Sequence, residues 1–311
     1  MFQKAYNMWI PLIKKMGYIR GTYLLFLRAF FRDLYSKTIL DILKNEMSIV
    51  IDKYKKLKYV KERIYENEKL VWVFWYQGYD NMPDIVKGCY KSILNKFGNE
   101  DKKNVHLITK DNMEKYVDID DDIMLKVKNG KITITHLSDI LRIKLLKKYG
   151  GCWIDSTCFI TDIPTEEVWE YEFYSQKYAK DKANFFNEGK WSVFFLMGKK
   201  EGIIFSYLDE FFEEYLKKND YVLDYYLMDY ALYIAYNEID IIREIIDEVP
   251  ENNPEVMTIC EKWNENIENI SLENLKNKNW FFKLTWKEKI NFNSDTLSLW
   301  FYRSYIENYL K

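Results

Sequence analysis

The spacing of apolar and polar positions changes several times along this 311-residue chain. The run "KLVWVFWYQG" is continuously apolar for about six residues and stops at Gln77 and a turn at Gly78, as a strand buried on both faces would. "PDIVKGCYKSILNKF" then opens with Pro83 at a helix start and sets Ile85, Val86, Cys89, Ile93 and Leu94 on one stripe. "VHLIT" reads as a second short strand. Strand, helix, strand is the order of a parallel sheet covered by helices. Helical text follows over 121–128 and 138–149, and "GGCWIDSTCFI" supplies a third buried strand. Two further strand-like runs, "EFYSQKY" and "WSVFFLMG", precede a mostly helical stretch over 203–248, and an aromatic segment, "NFNSDTLSLWFYRSYIENYL", closes the chain.

Composition adds the charge distribution to this picture. Net charge is only -2, yet residues 1–63 hold 14 Lys/Arg against 5 Asp/Glu, so this first fifth is near +9 and the remainder near -11. The basic segment also carries Trp9, Ile10, Leu12, Leu24, Leu27, Phe30 and Phe31, which argues against nucleic acid as its partner. Two readings stand: a membrane-surface element, or helices covering their own domain. The predicted partition is a basic helical extension over 1–65 and one α/β domain over 66–311. No apolar run approaches the roughly 20 residues of a membrane span. Lys14, Lys15 and Arg20 interrupt the N-terminal apolar text and no small-residue cleavage site follows, so a cytoplasmic protein is expected. Cys89, Cys152, Cys158 and Cys260 lack metal-finger spacing and read as buried thiols.

In open α/β sheets ligands bind beyond the carboxyl ends of the strands. Those ends carry Gln77 and Gly78, residues 109–112, and Asp155 to Thr157. Within "LSDILRIKLLKKYGGCWIDST", Ser138 reads as a helix N-cap, Asp139 as a first-turn acid and Arg142 as its partner on the same face. Gly150 and Gly151 let the helix end in a left-handed conformation and the chain turn tightly into the strand. Asp155, the single acid of that apolar strand, is costly unless it is paired or bound to a cation. Arg142 is one possible partner; a divalent ion bridging to a diphosphate is another.

The stretch "THLSDILRIKLLKKYGGCWIDSTCFI", together with "VWVFWYQGYDNMPDIVKGCYKSI", resembles the capsular polysaccharide synthesis glycosyltransferases, with their "SDxLR…GG…D" signature and DXD motif. The resemblance covers roughly residues 70–160. It implies a GT-A, Rossmann-like nucleotide-sugar fold that transfers a hexose, with retention, from a UDP-sugar such as UDP-galactose or UDP-glucose to a lipid-linked capsular or surface oligosaccharide. By the same resemblance, Trp75, Gln77 and Gly78 would lie near the nucleotide, Ser138, Asp139 and Arg142 near the ribose or donor sugar, and Asp155 would be the first acid of DXD. Mn2+ or Mg2+ would then bind at Asp155 and Thr157, although Thr157 stands where the family has its second acid.

Two other stretches resemble parts of that family. "SDTLSLWFY" places Ser298 and Trp300 where relatives close the donor site with a polar residue and an aromatic ring, and "DYYLMDYALYIAY" carries Asp229, preferred over Asp224, as an acid on the acceptor side. Lys283 and Lys287 could reach a diphosphate. Only His106 and His136 are present, and GxSxG, GxxxxGK[ST] and GxGxxG are absent, which removes the commonest hydrolase, NTPase and dehydrogenase readings. The competing expectation is an inactive nucleotide-sugar or glycan-binding subunit, since half of DXD is missing.

Overall fold

The fold is that of a computed structural model, which describes residues 2–57, 69–178 and 186–311. The expected junction between residues 65 and 66 lies outside the described residues. Three helices come first: α1 (Phe2–Phe30), α2 (Arg32–Glu46) and α3 (Ser48–Lys55). There follow β1 (Val71–Phe74), α4 (Asp84–Phe97), β2 (Val105–Ile108), α5 (Asp121–Lys128) and α6 (Ile134–Tyr149). Next are β3 (Gly151–Ile154), β4 (Cys158–Ile160), β5 (Phe173–Ser175) and β6 (Phe195–Gly198). Helices α7 (Ile203–Lys218), α8 (Leu227–Glu238), α9 (Asp240–Asp247), α10 (Thr258–Glu261) and α11 (Leu272–Lys278) lead to β7 (Phe281–Lys283). The chain closes with α12 (Leu297–Phe301), a π-helical turn and α13 (Glu307–Leu310).

The main sheet has the order β2-β1-β3-β6-β5. Strand β1 lies parallel to both β2 and β3, while β6 runs antiparallel to β3 and β5. The sheet is therefore mixed α/β with a parallel Rossmann-like half, and the expectation of a parallel sheet holds only for its first three strands. From β1 the chain crosses to β2 on one side and returns to β3 on the other. Right-handed crossovers in opposite directions carry α4 and α6 to opposite faces, and the order reverses between β1 and β3, where a crevice opens.

Asp155 does not lie inside a strand. The apolar run expected as one strand divides at Asp155, whose carbonyl accepts from Cys158 N at 2.8 Å, and the second half, β4, leaves the main sheet to pair with β7. The reason is hydrophobic. Phe159 belongs to a second core with Cys89, Trp263, Phe282, Phe301 and Ile306, distinct from the core under the main sheet. Helix α6 also starts earlier than expected, because Thr133 Oγ1 accepts from His136 N at 3.3 Å and caps the helix in place of Ser138. Asp139 thus sits in the second turn.

The two glycines behave as their spacing implies. Gly150 (φ 70°) ends α6, with its N–H donating to Leu146 O at 2.9 Å. Gly151 (φ 94°) passes so close to the preceding strand that an added Cβ would lie 2.4 Å from Leu70 O. That approach allows Cys152 N to donate to Leu70 O at 2.8 Å.

The basic N-terminal helices cover their own domain. Lys15 pairs with Glu46 at 2.9 Å and donates to Tyr215 of α7, while Arg28 (3.1 Å) and Tyr35 (2.6 Å) converge on Asp224. Yet one face remains open. Ile19 (85% exposed), Tyr23, Phe26, Phe30 (71%) and Leu34 lie in solvent on α1 and α2, as does Phe31 between them, with Arg20, Arg32 and Lys37 also exposed. Among the described residues no helix is long and apolar enough to cross a membrane.

Gly151→Ala is expected to cost at least about 3 kcal/mol, because it adds a backbone clash to a left-handed conformation. Urea denaturation should show a lowered midpoint with unchanged slope. An unchanged midpoint would mean that the helix-to-strand junction does not require glycine.

Candidate active site

The crevice at the β1/β3 reversal contains a cavity of about 430 Å³. Its walls come from the end of β1 (Trp75, Gln77), the start of α6 (Ile134, Thr135, Ser138), the β3–β4 turn (Asp155, Ser156, Thr157), and the segment from Lys283 to Lys287. A larger hollow of about 730 Å³ lies at the opposite edge, lined by surface lysines already paired with acids, such as Lys69 with Glu166 and Lys103 with Asp101. The chemistry converges on the first cavity.

Asp155 is its centre. Its Oδ1 accepts from Trp153 Nε1 at 2.9 Å and from Arg142 Nη2 at 3.4 Å, and its Oδ2 accepts from Lys283 Nζ at 2.7 Å. Burial opposes ionisation, but the charges of Lys283 and Arg142 and these hydrogen bonds outweigh it and hold the carboxyl below the usual range. The side chain is locked to its neighbours, yet it stays one-quarter exposed (25%) on the cavity wall.

Arg142 is buried and fixed by several partners. Its guanidinium donates to Val193 O at 2.6 Å and Ser138 Oγ at 3.2 Å, faces Asp139 at 3.4 Å, and lies 5.0 Å above the Trp153 ring. Asp139 is pushed up to about 7, chiefly by burial and also by Asp155, with Arg142 opposing the rise. The predicted pair is therefore real, with Ser138 serving as a hydrogen-bond acceptor for Arg142. Trp75 lies edge-on to Trp286 at 5.7 Å, and its Nε1 is buried without a hydrogen-bond partner among the described residues. Gly78 (φ 83°) closes the turn behind Gln77 but does not line the cavity.

Ser298 and Trp300 lie elsewhere, and the expectation for them is corrected. Ser298 is buried, its N–H donating to Trp263 O at 3.2 Å and its hydroxyl 3.1 Å from that of Thr296. Trp300 lies edge-on to Phe301 and Tyr305. Both face the second core, because α12 packs there. The tail residues that reach the cavity are Lys283, Trp286 and Lys287, a stretch in which only the two lysines stood out by sequence.

A second cavity of about 760 Å³ adjoins the first at Met257. Asp229 lies on its wall with Trp191, Ser192, Tyr226, Glu255 and Glu261. Trp191 Nε1 donates to Asp229 Oδ1 at 3.1 Å, and burial raises this carboxyl to about 7, an effect Asp139 reinforces. Asp224, the other acid of that stretch, is structural, since it holds Arg28 and Tyr35. His136 is buried against Tyr225 and is pushed down to about 4 by burial. His106 stacks on Trp72 in the sheet.

The donor set at Asp155 and Thr157 does not fit a divalent ion. Both Asp155 oxygens are already engaged, two cations face them, Thr157 brings no charge, and among the described residues no three His, Cys, Asp or Glu side chains cluster to hold a metal. At an effective dielectric of about 20, unit charges about 4 Å apart repel by about 4 kcal/mol, and a dication doubles that.

A mixed sheet with its ligand crevice at the β1/β3 reversal, walled by a helix N-terminus and fixed charges, defines the Rossmann-like GT-A class. The chain belongs to the family described as capsular polysaccharide synthesis protein, whose model matches residues 26–305. It is also similar to the O-glycosyltransferase braB of Annulohypoxylon truncatum, with 31% identity over 102 residues, 30% of this chain and 24% of that protein. To the O-glycosyltransferase PaGT of Phomopsis amygdali it is 26% identical over 113 residues, 34% of this chain and 27% of the relative. The chain thus spans about a quarter of the length of these curated relatives.

A carboxyl raised by burial keeps its proton in the folded protein after the unfolded chain has lost it, so its contribution to stability falls as pH rises from about 4 to about 7. Asp229→Asn removes that loss. The variant should match the wild type near pH 4 and be more stable by at most about 4 kcal/mol above pH 7. Thermal unfolding across pH checks this, and parallel curves for the two proteins would contradict it.

Proposed function

We propose that the protein is a glycosyltransferase that moves a hexose from a UDP-sugar to a lipid-linked capsular or surface oligosaccharide, with retention at the anomeric carbon. The observation that carries this reading is the placement of Arg142, Lys283 and the α6 N-terminus around one cavity at the strand ends. Helix N-termini and fixed cations bind diphosphates, and the cavity volume of about 430 Å³ lies within the ordinary range for small-molecule sites. Trp75, Gln77 and Trp286 supply aromatic and amide surface for the base. The adjoining cavity, with Asp229, Trp191 and Tyr226, suits an acceptor sugar, because aromatic faces cover sugar rings and carboxyls hold their hydroxyls.

In the reaction the bond from C1 to the β-phosphate oxygen breaks and its electron pair leaves on the diphosphate. C1 gains a bond to the acceptor oxygen, whose proton passes to the departing diphosphate. The protein's task is to stabilise the charge that builds up on that leaving group. Asp155 contributes by holding Arg142 and Lys283 in place.

The open aromatic face of α1 and α2, with its exposed arginines, supports peripheral contact with an anionic membrane, where a lipid-linked acceptor would lie. Sedimentation with phosphatidylglycerol vesicles should show binding at low salt that weakens at high salt; no binding in either condition would return these helices to packing alone.

Asp155→Asn should lower transfer or donor hydrolysis at least about 100-fold, the scale of losing one preorganised electrostatic element. Chromatographic detection of UDP release from UDP-glucose and UDP-galactose checks it. Near-normal turnover in the variant would remove Asp155 from the mechanism, and wild-type protein that binds UDP-sugars without slow release would favour the inert binding subunit.

A further inference from the structure

The residue set around Asp155 lacks the second acid of the DXD pattern and holds an ammonium against the first. Two carboxylates with a dication sum to zero charge, and so do one carboxylate and one ammonium. This chain has Thr157 in place of the second acid and Lys283 against the first, 2.7 Å from Asp155 Oδ2.

Lys283 is held as a fixed charge rather than a solvated surface lysine. It is the last residue of β7 and pairs in register with Cys158, directly after the Asp155 turn. Its backbone N–H donates to Val256 O at 2.9 Å, and the next N–H, of Leu284, donates to Thr157 O at 2.8 Å, so the backbone is tied down on both sides. The ammonium lies 5.1 Å above the Phe194 ring and is only 17% exposed, on the cavity wall. Burial disfavours its charge, but Asp155 outweighs burial and keeps it protonated. Lys287 and Arg142 line the same cavity.

Resting on the UDP-sugar reading above, we infer that Lys283 provides the positive charge a divalent ion would otherwise bring to the donor's diphosphate, so that nucleotide binding requires no metal. A phosphate oxygen takes one N–H of the ammonium while another remains on Asp155, as three donors allow. Arg142, held by Val193 and Ser138, stays behind this contact and fixes the Asp155 end of it.

Isothermal titration of the protein with UDP tests this, in EDTA and in MnCl2. The wild type should bind in EDTA, with affinity changed less than about 2-fold by Mn2+. Lys283→Gln should weaken binding in EDTA by about 10- to 100-fold, the range for a lost charge-assisted hydrogen bond. Mn2+ should restore part of the loss in that variant, because Asp155 is then free to ligate. Lys283→Arg should retain metal-free binding, and circular dichroism of both variants separates misfolding from loss of the contact. Wild-type binding that disappears in EDTA, or a Lys283→Gln variant that is folded and binds normally without metal, overturns the inference and leaves the donor reading intact. No UDP binding in either condition overturns both.

Discussion

The structure depends on one half-buried carboxylate being shared by two cations. Asp155 receives Arg142 from α6 and Lys283 from β7, residues 13 and 128 positions away in sequence. An acid placed there without them would be costly, since isolated charges lose far more solvation than a protein interior returns. With them, the contact joins the main sheet, the helix α6 of the second crossover and the small β4–β7 sheet. The same three charges then form the wall of the cavity. One contact that joins the two sheets is also what the cavity offers a ligand.

Much of this was legible because it rests on local rules. The buried run ending at Gln77, the proline-started helix and the paired glycines each have a mechanism that does not depend on distant partners. The Asp155–Arg142 contact was one of the two outcomes that the cost of a lone acid allowed. What could not be read was the destination of β4. Nothing in "STCFI" tells it to abandon the strand before it; that follows from a second core assembled by Phe282, Phe301 and Trp263, far along the chain. The error over Ser298 and Trp300 has the same origin, because α12 feeds that core and β7 occupies the place expected of the tail. Ser138 misled for a local reason: Thr133 is also a good cap and lies five residues earlier.

Three acids near the two cavities have been given different states by their surroundings. Asp155 is held ionised by adjacent cations, whereas Asp139 and Asp229 are lifted to about 7 by burial. Neutral acids donate as well as accept hydrogen bonds. The cavity at Asp155 is therefore cationic, suited to phosphate, and the one at Asp229 is polar without fixed charge on that carboxyl, suited to hydroxyls. Met257 marks the border between them. The proposed division of labour between donor and acceptor would follow from where positive charge stops.

The N-terminal helices connect to this division through a short path. Arg28 and Tyr35 both bind Asp224 Oδ2, while Asp224 Oδ1 accepts from Tyr226 N at 2.8 Å and so shapes the turn before α8. Tyr225, in that turn, lines the first cavity, and Tyr226 lines the second. Phe30 and Phe31, at the open aromatic face, follow Arg28 within three residues. The open face is thus joined through Arg28 and Asp224 to a turn whose two tyrosines line one cavity each. Asp224 is buried and both its oxygens are committed, so Arg28 and Tyr35 of the N-terminal helices and the turn before α8 are held by one carboxylate. Through Asp224 the basic helices are tied to the wall of the site, while Ile19, Phe26, Phe30 and Phe31 on their outward side stay in solvent.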